Sequence, residues 1–231
     1  MITLKVNVGA LNFRAKPNKE DSTKIIGTLP RGTELEFIKA SDDFYWVQVK
    51  NPAGEKGWVS FKYCLVLPDP KEVRDNDYRW LKIAFGEKHF QIKELKDPME
   101  NARILLYLQS CELLDNSMKN DDETAWCSAF MNWCVEKAGY EGTNSAWALN
   151  WKNWGQPLET PRRGCVAVFK RFVMKNGEKK TYGHVGFYLG KDGEKNISIL
   201  GGNQRNRVKI SSYPIDSEKY QLVGYRYFPK Q

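Results

Sequence analysis

Short apolar segments separated by turn residues make up the first 67 residues of the chain. Several segments alternate apolar with polar positions, which is the pattern of a strand that buries one face. Proline and glycine fall between them, for example at Pro30 and Gly54. The pattern predicts strands at Thr3–Val8, Ile25–Leu29, Glu34–Ala40, Trp46–Lys50 and Gly57–Ser60. Short strands joined by tight turns are typical of a small all-β barrel.

A polar stretch without periodicity follows this segment. Residues 68–76 contain Pro68 and Pro70 among charged residues, which is the composition of a linker. We therefore predict a first domain at residues 1–67, a linker at 68–76 and a second domain at 77–231.

The second domain begins with helical periodicity and ends with strands. Apolar spacing predicts helices from Tyr78 to about Glu87, from Pro98 to Cys111 and from Thr124, as the cap residue, to Gly139. After Gly164 the pattern predicts strands at Cys165–Phe169, His184–Leu189, Ile197–Leu200, Val208–Ser211 and Leu222–Phe228. Helices followed by antiparallel strands make an α+β domain.

Cys127 lies near the start of the third predicted helix, which is apolar on nearly all sides. The first backbone N–H groups of a helix lack partners within the helix, and they favour the nucleophilic thiolate of a nearby cysteine. The alternative is a structural cysteine, because cysteine is among the most buried residue types. The helix alone leaves both interpretations open.

Three tryptophans follow this helix, at Trp147, Trp151 and Trp154. Their spacing places them on one face of a short helix. Such a stripe packs in a core, which is the commoner case, or lines a substrate groove.

Composition excludes several classes of protein. The five cysteines are not spaced as a zinc site or a disulfide framework, so we predict free thiols and no metal or other cofactor. The net charge of +8 lies mostly in the C-terminal third. This charge suits an anionic envelope polymer, and no nucleic-acid motif accompanies it, so we expect no nucleic-acid partner.

The apolar segments are too short for a membrane span of ~18–20 residues, so we expect no membrane insertion. The N-terminus lacks the pattern of a signal peptide. We therefore expect synthesis in the cytoplasm without a signal peptide. Action at the cell wall or periplasm would then follow release or secretion by another system.

The chain has two histidines, so a thiolate mechanism has few choices of base. His89 lies in a polar helix-end setting that favours solvation. His184 opens a predicted strand and is the better candidate. A hairpin could bring the amide of Asn203 beside the His184 ring, and a cysteine, a histidine and an amide form the papain-type arrangement. The neighbouring Gly201 and Gly202 are otherwise simple turn residues.

Four motifs in the first domain resemble the bacterial SH3-like domain. They are LNFRAKP at residues 11–17, GTLPRGT at 27–33, WVQV at 46–49 and GWVS at 57–60. The resemblance implies a small barrel that either binds the cell wall or only packs beside a catalytic unit.

Motifs of the second domain resemble the CHAP group of cysteine amidohydrolases and peptidases, within the NlpC-type papain-like superfamily. They are DETAWCSAFMNWC at residues 122–134, AGYEGTNSA at 138–146, GHVGFY at 183–188 and LGGNQ at 200–204. The resemblance implies Cys127 as nucleophile, His184 as base and Asn203 as orienting group. Many relatives carry a glutamate where Gly201 stands, which leaves the third role on Asn203.

The resemblance implies a peptidoglycan hydrolase, either an endopeptidase or an N-acetylmuramoyl-L-alanine amidase, with an inhibitor or immunity protein as a conceivable partner. Candidate oxyanion or substrate contacts are Ser128, Trp126, Trp147 and Gln204. The alternative is a wall-binding or effector-type interaction protein with an inactive thiol site.

Overall fold

The computed structural model describes residues 1–18 and 24–228 of the chain. The last three residues of the predicted second domain therefore lie outside the described residues. The first domain contains seven strands: β1 (Thr3–Val6), β2 (Ala10–Arg14), β3 (Ile25–Pro30), β4 (Glu34–Ala40), β5 (Trp46–Lys50), β6 (Lys56–Ser60) and β7 (Cys64–Val66).

These strands form one antiparallel sheet in the order β3-β2-β6-β5-β4-β1-β7. Alternate residues of each strand point into the barrel, as Leu11 and Phe13 do in β2 and Val47 and Val49 in β5. The buried set forms an apolar core, which confirms the predicted all-β barrel. Two strands, β2 and β7, were missing from the prediction, because β2 is short and half polar and β7 has only three residues.

The second domain begins with four helices, α1 (Arg79–His89), α2 (Ala102–Leu108), α3 (Asn116–Lys119) and α4 (Cys127–Lys137). The prediction that α4 begins at Thr124 is wrong, because Trp126 is its cap residue and Cys127 its first residue. Helix α2 is shorter than predicted, and Asn101 caps it by accepting a hydrogen bond from the Arg103 N–H. None of the helices in the described residues is long and apolar enough to cross a membrane.

The remaining strands are β8 (Gln156–Leu158), β9 (Val166–Lys175), β10 (Glu178–Asp192), β11 (Asn196–Gly201), β12 (Lys209–Pro214) and β13 (Tyr220–Tyr227). They pair antiparallel in the order β12-β11-β10-β9-β13-β8. Helices packed on this sheet confirm the predicted α+β class. Strands β9 and β10 extend beyond the predicted bounds as a long hairpin, in whose outer part no residue is buried.

Alternate residues of the sheet pack into two separate apolar clusters. Val168, Val185 and Phe187 belong to the large core that contains α4, whereas Phe169 and Tyr213 belong to a smaller cluster. His184 pairs with Phe169 across the ladder and stacks on Tyr213, so its side chain lies on the face of the smaller cluster. This division of the faces positions the histidine.

A buried ion pair joins the barrel to the second domain. Arg103 of α2 donates to both carboxylate oxygens of Glu87 in α1, at 2.8 and 2.6 Å, and the Tyr107 hydroxyl donates to the same carboxylate. The Arg103 guanidinium also donates to the backbone carbonyls of Phe61 and Cys64 in the barrel, at 3.1 and 3.2 Å. The two domains are therefore packed together around fully buried charges.

The stretch predicted as a linker, 68–76, has no helix or strand. It is nevertheless held at several points. Arg163 donates to the backbone carbonyl of Glu72 and to the Asp77 carboxylate, at 2.8 and 3.0 Å, and Lys88 forms an ion pair with Glu72. These contacts fix the path of the chain between the two domains.

Candidate active site

Cys127 lies where the start of α4 meets the middle of the second sheet. The backbone N–H groups of Ser128, Val185 and Cys127 itself face its sulfur. The ladder between β10 and β11 begins only at Phe187, which leaves the Val185 N–H available for this contact. The sulfur is therefore placed directly beside the residue that precedes Val185, which is His184.

Burial decides the protonation state of Cys127. The side chain is 8% exposed, and burial raises the pKa of its thiol to about 11, although the three N–H groups and the charge of Arg171 act in the opposite direction. The expectation that the start of the helix would favour the thiolate at rest is therefore wrong. The donors are present, but the loss of hydration outweighs them.

His184 is 6% exposed, and its ring stacks on Tyr213 with 4.9 Å between centroids. Burial and then the charge of Arg171 lower the pKa of the imidazole to about 4. Its Nε2 atom is buried and has no hydrogen-bond partner among the described residues. Near neutral pH the site therefore holds a neutral thiol and a neutral imidazole, which is the form that can accept a proton.

Replacing His184 with glutamine should reduce the pH dependence of stability. The unfolded imidazole titrates near 6.5 and the folded one near 4. The unfolded state therefore binds the proton first, and stability falls as the pH drops from about 6.5 to about 4. Between about pH 7.5 and 4.5 the wild type should lose about 2–3 kcal/mol more of its unfolding free energy than His184→Gln, measured by urea unfolding. A His89→Gln control should behave as wild type. Equal losses in wild type and His184→Gln would contradict the buried neutral ring.

A cleft of about 590 Å³ opens beside His184. Asn203 and Tyr213 also line this cleft. Cys127 does not line it, and only 8% of this residue is exposed to solvent. The structure thus brings His184 and Asn203 to one cleft, whereas the Cys127 sulfur lies outside its lining and contacts the Val185 N–H of the His184 strand.

Asn203 lies in the turn between β11 and β12 and has a left-handed backbone, with φ of 52°. Asparagine tolerates this conformation better than most residues. No hydrogen bond joins its side chain to the His184 ring in the described residues. Its orienting role remains a prediction.

Gln204 holds the same turn together. Its amide nitrogen donates to the backbone carbonyls of Gly201 and Lys209, at 3.0 and 2.7 Å, and the residue is 3% exposed. Gln204 nevertheless lines the cleft beside His184, and its Oε1 atom has no hydrogen-bond partner among the described residues. The expectation that it contacts substrate stays a prediction.

Two further candidates are buried. Trp126 has no exposed surface, and its indole N–H donates to Glu94 at 2.7 Å. Ser128 is also fully buried, its hydroxyl donating to the Ser145 carbonyl and accepting from the Trp151 indole. Neither side chain can touch a substrate. The expectation for Trp126 is therefore wrong, whereas that for Ser128 stays a prediction for its backbone N–H. Only the backbone N–H of Ser128 faces the reacting sulfur.

The three tryptophans divide between core and surface. Trp151 and Trp154 are buried, whereas Trp147 is 62% exposed and is the cap residue of a 3₁₀ helix at Ala148–Asn153. A Cβ on Gly183, the residue before His184, would meet Ala148 at 2.9 Å. Ala148, the residue after Trp147, therefore lies next to the strand that carries the histidine, on the face opposite the His184 side chain.

Sequence reasoning missed two residues of this site. Tyr213 supplies the ring on which His184 stacks, and Arg171 affects the pKa of both the thiol and the imidazole. The alternating pattern of β9 and β12 indicates which of their side chains share a face. Which of these side chains lie near His184 follows only from the register of the sheet.

One group of carboxylates in the described residues has the spacing to hold a cation. Oxygens of Glu100, Asp121 and Asp122 lie within 4.8 Å of one another. Hydrogen bonds within the loops also explain these positions, because Asp122 accepts from the Asn101 N–H and donates its own N–H to Glu100. We assign no metal to this group.

A thiol at the first residue of a helix, packed against an antiparallel sheet whose central strand carries a histidine, defines a papain-like cysteine hydrolase fold. Comparison with family models agrees with this class. Residues 9–65 match the bacterial SH3 domain, and residues 119–203 match the CHAP domain. The two parts of the chain are thus similar to these two families, and the second match spans Cys127, His184 and Asn203.

Solved structures of NlpC/P60 proteins are among those similar to this chain. NlpC2 from Trichomonas vaginalis has 14% identity and a TM-score of 0.37, over 100% of this chain and 74% of that one. An NlpC/P60 family protein from Bacillus cereus has 14% identity and a TM-score of 0.39, over 98% of this chain and 63% of that one. The chain thus spans less than two thirds of the latter. A search of the curated proteins finds no match.

Proposed function

We propose that this protein is a peptidoglycan hydrolase that cleaves an amide or peptide bond of the stem peptide or cross-bridge, with Cys127 as nucleophile and His184 as base. The observation that carries the proposal is the contact of the Val185 N–H with the Cys127 sulfur, because Val185 directly follows the proposed base, His184, in the chain. The CHAP match over both residues supports the cysteine peptidase or amidase class.

The mechanism starts from the neutral pair. His184 accepts the thiol proton as the Cys127 sulfur attacks the carbonyl carbon, so the thiolate forms only when a substrate is present. Backbone N–H groups at the start of α4 are placed to stabilise the negative oxygen of the tetrahedral intermediate. The imidazolium then gives its proton to the leaving amine, and water attacks the thioester to release the acid and restore the thiol.

The barrel supports a wall-associated function. A groove of about 560 Å³ on its surface is lined by Trp46, Tyr63 and Lys62 among other residues. Aromatic rings next to a cation suit a polymer that has both apolar faces and negative groups. We propose that this domain binds peptidoglycan and holds the second domain on its substrate.

Digestion of purified peptidoglycan tests the proposed function. Mass spectrometry of the released fragments should show new amino and carboxyl termini at one type of amide bond. Protein alkylated on Cys127, confirmed by peptide mapping, should release none. Unchanged peptidoglycan after prolonged digestion by the unmodified protein would overturn the proposal.

A wall-binding protein with an inactive thiol is the second candidate. The raised pKa of Cys127 and the unpartnered Nε2 of His184 favour it, because neither group is activated at rest. This candidate predicts that the protein sediments with insoluble peptidoglycan but produces no new termini in the same digest.

Replacing Asn203 with glycine should lower kcat by about tenfold or more with little change in KM. Glycine keeps the left-handed backbone and removes only the amide, so the loss reports the side chain. If the amide holds the ring during the reaction, its effect appears mainly in the transition state. Steady-state kinetics on a soluble muropeptide measures both constants. A near-normal kcat would reduce the catalytic group to Cys127 and His184.

Replacing Trp147 with alanine should raise KM about fivefold and leave kcat and stability nearly unchanged, because the exposed ring offers a contact surface beside the histidine strand. Trp151→Ala is the matched variant, and it should instead destabilise the fold by about 3–5 kcal/mol. Kinetics together with thermal unfolding separates the two effects. An unchanged KM for Trp147→Ala would exclude this ring from substrate binding.

A further inference from the structure

We propose that Arg171 binds a carboxylate group of the substrate and thereby makes the enzyme selective for peptides with a free carboxylate near the cleaved bond. The inference rests on the proposed function and names the substrate class of the same site. Three features of Arg171 support it: its position in the sheet, the charges around it, and the effect of its charge on Cys127 and His184.

The register of the sheet places Arg171 on the His184 side. In the ladder between β9 and β10, Phe169 pairs with His184 and Arg171 pairs with Tyr182. Directly paired residues of an antiparallel ladder point to the same face, so the side chains of His184 and Arg171 lie on one face, two residues apart. Arg171 is exposed and lines the cleft together with His184.

No carboxylate neutralises the charge of Arg171 within the part of the chain that the structure describes. The lining of the cleft includes Arg171, Arg205 and Lys209, and the lining residues described include neither aspartate nor glutamate. None of these three cations forms an ion pair with a described carboxylate. A cleft with cations on one side of the histidine attracts an anionic ligand.

Arg171 also reaches the reacting groups. Its charge acts on both Cys127 and His184, lowering the pKa of each. An anion bound to this guanidinium therefore lies in the same cleft as the proposed base, His184. A peptide that carries its own carboxylate can bind Arg171 through that group and present its scissile carbonyl to Cys127 at the same time. The planar guanidinium suits a carboxylate because it can donate two parallel hydrogen bonds.

Alkylation of Cys127 tests this placement without requiring hydrolysis. Iodoacetate and iodoacetamide differ in their negative charge, and the ratio of their rate constants at Cys127, followed by peptide mapping, reports local attraction for a carboxylate. Arg171→Gln should lower this ratio by about tenfold, and Arg171→Lys should largely retain it. Lys170→Gln is the matched control, because Lys170 is exposed on the same strand but points to the opposite face. Equal ratios in wild type and Arg171→Gln would overturn the proposal.

Two muropeptides that differ only by amidation of a stem carboxylate test selectivity. Arg171→Gln should lower kcat/KM about 10–100-fold for the free acid and less than about threefold for the amide.

If no variant cleaves either compound, the proposed function fails. The affinities of the two muropeptides are then measured for Cys127→Ala and for the double variant Cys127→Ala with Arg171→Gln. The difference in affinity between the free acid and the amide, compared between these two proteins, still decides the role of Arg171. Protection of Cys127 by a glycerol phosphate oligomer but not by the free-acid peptide would assign the site to a phosphate polymer and overturn the inference.

Discussion

Replacing Cys127 with alanine should lower the rate of peptidoglycan cleavage by about 10⁴-fold or more and leave the fold intact. The variant lacks the atom that attacks the carbonyl, and the other members of a catalytic group that acts as a unit cannot replace it. Cys127 is a small residue that keeps a small exposed fraction, 8%, at the edge of the core. Removal of its sulfur should therefore cost little stability. Release of muropeptides, measured by mass spectrometry, and thermal unfolding check the two parts of the expectation.

Cys134 provides the matched control for this experiment. It belongs to the same helix, is fully buried and lies close enough to the buried Arg103–Glu87 pair for both charges to act on its thiol. Cys134→Ala should cost stability of about 1 kcal/mol and leave the cleavage rate unchanged. Full activity in Cys127→Ala, or a comparable loss in both variants, would contradict the assignment of the nucleophile.

Replacing Arg103 with methionine should destabilise the whole chain by about 3–5 kcal/mol. The substitution leaves the Glu87 carboxylate buried with only the Tyr107 hydroxyl as a partner, and it removes the donors to the carbonyls of Phe61 and Cys64. Urea unfolding measures the loss. Because the pair links the domains, we expect the barrel and the second domain to lose stability together.

Two further variants test the origin of that effect. The double substitution Arg103→Met with Glu87→Leu removes both charges, so it should recover a large part of the stability lost in the single variant. Lys5→Met breaks the exposed pair of Lys5 and Glu34, which are 3.7 Å apart, and should change stability by less than about 1 kcal/mol. A small loss in Arg103→Met would show that water reaches Glu87 in the folded protein.

The parts of the fold that sequence could predict are those with a local signal. Strand β4 has the predicted bounds, because its apolar residues and flanking turns mark both ends. The outer half of the β9–β10 hairpin was missed because residues 170–175 do not alternate between apolar and polar and none is buried, and only pairing with β10 makes them a strand. Local pattern does not contain that pairing.

The candidate site shows the same division. Cys127 stood out by its position at the start of a helix and His184 as one of two histidines, and the structure brings the Cys127 sulfur against the N–H of Val185, the residue after His184. Burial could not be predicted in the same way, since the loss of water around Cys127 and around Trp126 depends on residues distant in sequence. The resting protonation state of the thiol and the exclusion of Trp126 from the substrate surface therefore required the structure.

The guanidinium of Arg103 recognises the barrel through two backbone carbonyls, those of Phe61 and Cys64, rather than through side chains. A homologous barrel with a different surface sequence can therefore be accepted if its chain follows the same path at this corner, whereas a barrel of another fold would leave the donors without acceptors. Exchange of barrels between chains of this architecture is consequently limited by backbone geometry. A chimera designed for this protein should cross over before Phe61, so that residues 61–64 stay with Arg103.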